Sequence, residues 1–234
     1  MKKMLAIISP AVFLMIGTAQ ANLLKNGDFE IVDNRVGTVN SIQLDSLNTG
    51  SGWDVYSELP DGSSGTSWET ASGAGIEVQY DGTVVSAHSG DHYIELDSHP
   101  NSESRITNSE MTQEFNVVSE MTYYLSLWYQ PRTSKENDNG ISIYVKEKDS
   151  VASMFDTTVD DVRSSGTDWA QYSYNLGSLS IGTYALGFAA TGSSSQFGGF
   201  LDTIAVNPVP EPGTMLLFGT GLAALAGYRG RKKR

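Results

Sequence analysis

Apolar and polar residues alternate with a period of two through most of the interior of this 234-residue chain. Met111, Gln113, Phe115 and Val117 fall on one face of a segment. Tyr123, Leu125, Leu127 and Tyr129 alternate with Tyr124, Ser126, Trp128 and Gln130, and Ile141, Ile143 and Val145 alternate with Ser142, Tyr144 and Lys146. Side chains of an extended strand point to opposite faces in turn, so this pattern predicts half-buried β-strands. Further short runs at Leu23-Leu24, Ile94-Glu95-Leu96, Tyr172–Tyr174, Tyr184–Phe188 and Phe200–Val206 bring the expected count to eight or more. Gly, Ser, Asn and Asp bound them as turn residues, and no segment carries a sustained helical stripe. The expectation is all-β, a sandwich or barrel. Only 155–162 reads ambiguously, as a short helix or turn.

The two ends do not belong to that pattern. Lys2 and Lys3 precede an apolar stretch from Leu5 to Ile16, and Ala19-Gln20-Ala21 supplies small residues for a signal peptidase. Residues 1–21 therefore read as a secretory signal peptide cut between Ala21 and Asn22. At the other end, a proline-rich break at 208–214 can continue neither a helix nor a central strand. An apolar run from Met215 to Tyr228 follows, and then Arg229-Gly230-Arg231-Lys232-Lys233-Arg234. Counted from Gly213, the run has 16 residues, slightly short of the ~17–25 usual for a spanning helix. Its basic tail would stay cytoplasmic. This predicts a short transmembrane helix that stops an exported chain in the membrane.

Pro210, Glu211 and Pro212, the apolar span and the basic terminus together resemble the PEP-CTERM sorting signal over 208–234. The resemblance implies processing by an exosortase-type membrane enzyme. It also implies a Gram-negative host that makes exopolysaccharide, often as biofilm or floc. Whether the tail is removed or stays as a plain anchor is left open by the residues.

Residues 22–207 remain as one expected domain. Seven of the 15 basic residues and one of the 27 acidic ones lie in the ends, leaving 8 basic and 26 acidic residues and a net charge of −18. Such a charge favours solubility and cation binding and disfavours nucleic acid, whose phosphates need Lys and Arg. The absence of cysteine excludes disulfide staples, thiolate metal sites and cysteine catalysis.

Within this region, Asn22–Glu30, Gly52-Trp53-Asp54-Val55, Ser89–Asp97 and Gly199–Ile204 resemble the galactose-binding-like jelly rolls shared by many carbohydrate-binding modules. The resemblance implies a single jelly-roll β-sandwich with its first and last strands adjacent. It further implies one structural calcium ion held by Glu30 and Asp202, with Asp28 and the backbone around His88-Ser89-Gly90 as further donors. The alternative is that Glu30 and Asp202 are solvated edge acids or meet Lys25 or Arg105.

Sugars present flat apolar ring faces edged by hydroxyls, so their sites pair aromatic platforms with amides, carboxylates or guanidinium groups. Tyr124, Ser126, Trp128 and Gln130, with Arg132 beyond, offer that pairing. Tyr93, Glu95 and Asp97 form a similar stripe, and Tyr144 is a further candidate. If these strands share a sheet, its outward face is an aromatic and polar groove; otherwise Trp128 and Tyr124 pack under a loop. Trp53 and Trp169 are expected in the core, and Trp68 at a loop, as contact residue or anchor.

Catalysis has little footing. There is no Gly-x-Ser-x-Gly elbow, and nothing in the sequence sets two carboxylates such as Glu95 and another acid at a glycosidase spacing. The expected function is an exported, non-catalytic surface or matrix protein associating with extracellular polysaccharide. It would leave by the general secretory route, be tethered transiently at the inner membrane, and then reach the surface or the medium. A purely structural matrix component and a secreted glycan-active hydrolase or lyase are the rivals.

Overall fold

In a computed structural model the described residues are 22–32, 41–43, 52–99, 106–164, 168–193, 196–209 and 220. Thirteen strands lie among them. The first six are β1 (Ser41–Gln43), β2 (Trp53–Tyr56), β3 (Glu58–Pro60), β4 (Thr66–Ser72), β5 (Ile76–Tyr80) and β6 (His92–Glu95). The rest are β7 (Glu110–Val117), β8 (Met121–Gln130), β9 (Ile141–Glu147), β10 (Phe155–Val159), β11 (Ala170–Leu179), β12 (Gly182–Ala190) and β13 (Phe200–Pro208).

A seven-stranded sheet runs β1-β2-β5-β6-β13-β8-β11, and a six-stranded sheet runs β10-β9-β12-β7-β4-β3. Every pairing is antiparallel. The two sheets form the expected jelly-roll sandwich, because alternation leaves each with one apolar face to bury. Leu125, Leu127 and Ile94 from one sheet join Phe115, Phe188 and Ile143 from the other in a single core. Asn22–Val209 is one compact unit.

Several expectations change. Residues 155–159 form β10, a hairpin with β9, because Asp149 takes a left-handed conformation (φ 64°) and reverses the chain. Leu23-Leu24 is not in a strand. The opening segment is still tied to β13, since the Leu23 N–H donates to the Val206 carbonyl at 2.9 Å and the Ile204 N–H to the Gly27 carbonyl at 2.7 Å. A Cβ at Gly27 would collide with the Ile204 carbonyl, so the close approach demands glycine. Trp68 is neither loop tip nor loop anchor: it lies in β4, fully buried, with its indole N–H donating to the Asn26 carbonyl at 3.0 Å. Trp53 and Trp169 lie outside the main core, half-buried on the outer side of the seven-stranded sheet.

The expected signal peptide, the sorting motif and the C-terminal membrane helix fall outside the described residues, apart from Thr220, which is helical. Among the described residues no helix is long and apolar enough to cross a membrane.

Candidate functional site

The two sheets each carry a concavity on their outer face, and the sequence candidates divide between them. On the seven-stranded sheet, Ile76, Val78, Ile94 and Leu201 point into the core, so their neighbours Glu77, Gln79, Tyr93, Glu95 and Phe200 point outward. Register then lines them up, with Glu77 opposite Glu95, Gln79 opposite Tyr93, and Phe200 between Glu95 and Gln130.

This outward face is not an open groove. Tyr93 and Glu95 are buried, which corrects the reading of them as groove lining, whereas the buried Gln130 still borders a cavity on this face. The reason is a covering layer of loop residues. Val84 and Val85 donate backbone N–H groups to the Tyr93 hydroxyl, which itself donates to Gln79 Oε1 at 2.9 Å. The Gln79 amide donates to Glu77 Oε1 at 2.9 Å and to Glu95 Oε2 at 2.7 Å. Arg132 also donates to Glu95 Oε2. The Gly198 N–H reaches Glu95 Oε1, and Phe197 stacks its ring 4.4 Å from the Arg132 guanidinium. His99, itself stacked on Trp53, meets Glu77 Oε2 at 2.7 Å. Burial, reinforced by the neighbouring Glu77, holds the Glu95 carboxyl well above the usual carboxylate range despite Arg132.

Tyr124 is exposed at the far end of β8, away from this network. Trp128 and Gln130 line a cavity of about 450 Å³ with His88, Arg163, Asp168 and Trp169. There the His88 ring stacks on Trp128, with centroids 3.8 Å apart, and so occupies a face a sugar would use.

The two acids of the calcium expectation reach the same loop but serve it differently. Asp202 Oδ2 accepts the N–H groups of His88 and Ser89 at 2.9 and 3.0 Å, and its Oδ1 accepts that of Thr203. Glu30 Oε1 accepts those of Asp91 and His92 at 3.0 and 2.8 Å, and its Oε2 lies 3.2 Å from His92 Nδ1. Burial pushes the Asp202 carboxyl up to about 7 against the pull of these donors. A cation needs oxygens that face it, whereas here amide hydrogens face the carboxylates. As placed, these residues do not fit calcium; Asp28 is exposed, and no group of three His, Asp or Glu among the described residues could hold a metal.

Tyr144 lies on the other sheet, in β9. Its ring lies across Gly187 of β12, where any Cβ would collide with it, and its hydroxyl donates to Glu110 Oε1 at 2.6 Å. Burial and that acceptor raise its pKa, keeping the phenol protonated as a donor. The ring faces a groove of about 680 Å³ that crosses β4, β7, β9 and β12. Its lining includes the small Ala71 and Ala185 and the polar Glu69, Glu110, Glu114, Asn116 and Lys146. This groove was missed as a unit, although the outward residues of β7 and β9 are readable from their alternation. That Tyr144 sits on Gly187 depends on a register across two hairpins.

Residues 208–232 match the model of the PEP-CTERM protein-sorting motif. No curated protein matches the chain. Among solved structures, TmCBM61 in complex with β-1,4-galactotriose is 15% identical, covering 81% of this chain and 100% of that one, with a TM-score of 0.48. An arabinose-bound MgGH51 α-L-arabinofuranosidase is 16% identical over 80% of this chain and 26% of that one, with a TM-score of 0.46. A carbohydrate-binding module (CBM6cm-2) from Cellvibrio mixtus lichenase 5A with cellotriose is 16% identical over 60% and 92%, with a TM-score of 0.39. All three likenesses are distant, and the ligands and activities are theirs.

Proposed function

We propose that this is an exported, non-catalytic protein that binds glycan through the groove over Tyr144. It would be delivered through its sorting motif to an exosortase-type enzyme and held at the membrane only in transit. One observation carries the binding site: an aromatic ring laid on a glycine, lining a groove that also presents carboxylate, amide and ammonium groups, with the Lys146 ammonium 5.6 Å from the ring centroid. A ring on so small a residue leaves a platform suited to a sugar ring face, while the polar groups hydrogen-bond hydroxyls. Extracellular polysaccharide is the ligand class this chemistry favours.

The buried acids speak against a hydrolytic role for that cluster. Glu77 and Glu95 are opposed on neighbouring strands and closed off from water, whereas glycosidase carboxylates flank an accessible bond. The test is binding of the full chain to host exopolysaccharide and a glycan array. Tyr144→Ala should weaken binding tenfold or more, by roughly 1.4 kcal/mol, and Trp128→Ala should leave it unchanged. Loss in Trp128→Ala alone would move the site to the other sheet. Release of new reducing ends would make the protein an enzyme, and inertness towards every glycan would favour the purely structural role.

A further inference from the structure

Five of the ten large hydrophobic side chains exposed among the described residues gather at one end of the sandwich: Val118, Val151, Met154, Ile181 and Val209. Register places them together. The turn after β7 carries Val118, and the turn between β11 and β12 carries Ile181; Val117 pairs with Gly182, and Met121 with Leu179, so the two turns are neighbours. The hairpin turn after β9, bearing Val151 and Met154, is tied in by the Lys148 N–H donating to the Thr183 carbonyl at 2.9 Å. The last strand leaves at the same end: Pro208 pairs with Tyr123, and the Val209 N–H donates to the Thr122 carbonyl at 2.8 Å.

The two turns share a fastening. Tyr123 donates its hydroxyl hydrogen to the Ser119 carbonyl and Tyr184 to the Ser180 carbonyl, each at 2.9 Å and each four residues back. Both tyrosines are buried. Val118, 65% exposed, and Ile181, 72% exposed, are thus held outward on pinned turns rather than folded over the sheet edge. Scattered exposed aliphatics are ordinary, but a rigid group of them at one end marks a contact surface.

We propose that this end rests on the lipid bilayer that holds the tail, with Val118 and Ile181 dipping into its interface. The inference rests on reading 208–234 as a membrane stop. Only five residues, 210–214, separate Val209 from Met215, where the apolar run begins, and an extended chain covers at most ~3.6 Å per residue. The tether therefore keeps this end within about 20 Å of the membrane surface. Glu120, Glu147 and Asp149 are exposed near the same turns, beside Lys148, so the contact is apolar rather than electrostatic. Anionic lipid is not its preferred partner.

The chain lacks cysteine, so single cysteines can be labelled cleanly. Full-length protein carrying Ser180→Cys, labelled with a polarity-sensitive fluorophore, is reconstituted into zwitterionic phosphatidylethanolamine/phosphatidylcholine vesicles containing brominated lipid. Quenching should be several-fold stronger than for Ser134→Cys, which lies beyond the other end of β8, and adding Val118→Asp and Ile181→Asp should abolish the difference. Equal quenching at the two positions, quenching indifferent to the aspartates, or crosslinking of two chains through Cys at 180 in detergent would overturn the proposal. Protein that fails to float with vesicles would instead refute the membrane stop itself, and this inference with it.

Discussion

Glu77 and Glu95 stand opposite each other on adjacent strands of the seven-stranded sheet and share one amide, that of Gln79, between their carboxyl groups. Both are buried; the Arg132 guanidinium meets Glu95, and His99 meets Glu77. Burial first, and then the like charge of Glu77, raise the Glu95 carboxyl well above the ordinary range against the pull of Arg132.

Stability should therefore depend on pH in a definite direction. A carboxyl whose value is raised by folding binds more protons in the folded chain than in the unfolded one. Its contribution is complete below the free value of 4.5 for Glu95 and is lost as pH rises through the raised one. Asp202 acts in the same sense between 3.8 and about 7. Urea unfolding should show stability falling from mildly acidic to neutral pH, with a limiting slope of ~1.4 kcal/mol per pH unit for each proton. Glu95→Gln should flatten that fall; an unchanged slope in the variant would show that Glu95 ionises normally.

The platform can be disturbed without touching its ring. In Gly187→Ala the new methyl would displace Tyr144, so glycan binding should drop about as far as in Tyr144→Ala, with destabilisation of ~1–3 kcal/mol from overpacking. Gly182→Ala in the same strand is the control, since its Cβ would only touch the Tyr184 ring at 3.8 Å. Isothermal titration and thermal melts read both effects. Wild-type affinity in Gly187→Ala would mean the ring position is irrelevant.

Calcium addresses the acids on either side of the 88–92 loop. Because N–H donors already face Glu30 and Asp202, millimolar calcium should leave the Tm of the chain unchanged, and Asp202→Ala should lower it by freeing the His88 and Ser89 amides. A calcium-induced rise of several degrees, absent from a Glu30→Gln, Asp202→Asn double variant, would show instead that the loop turns its carbonyls to an ion.

Trp68 offers a measure of the core. It packs against Phe29 and Phe188, with ring centroids 6.0 and 5.9 Å away. Trp68→Ala should cost ~3–5 kcal/mol and Trp68→Phe, which mainly loses the bond to the Asn26 carbonyl, ~1 kcal/mol. Chemical denaturation followed by circular dichroism distinguishes the two, and a cost under ~1 kcal/mol for alanine would contradict full burial.

The amino-acid order by itself determined the strand alternation, the all-β class, which residues of β7, β8 and β9 face inward, and the sorting segment at 208–232. Those properties are local, because the side-chain period of a strand is a matter of neighbouring residues. Strand β4 stayed hidden in a Gly/Ser-rich stretch whose composition reads as loop, and so did the burial of Trp68. Tertiary structure alone decided what becomes of the outward faces. Loops from remote parts of the chain cover Tyr93 and Glu95, His88 occupies Trp128 through contacts 114 residues away at Asp202, and Tyr144 finds Gly187 across a sheet. Periodicity records which way a side chain points, and only packing between distant segments settles what it meets there.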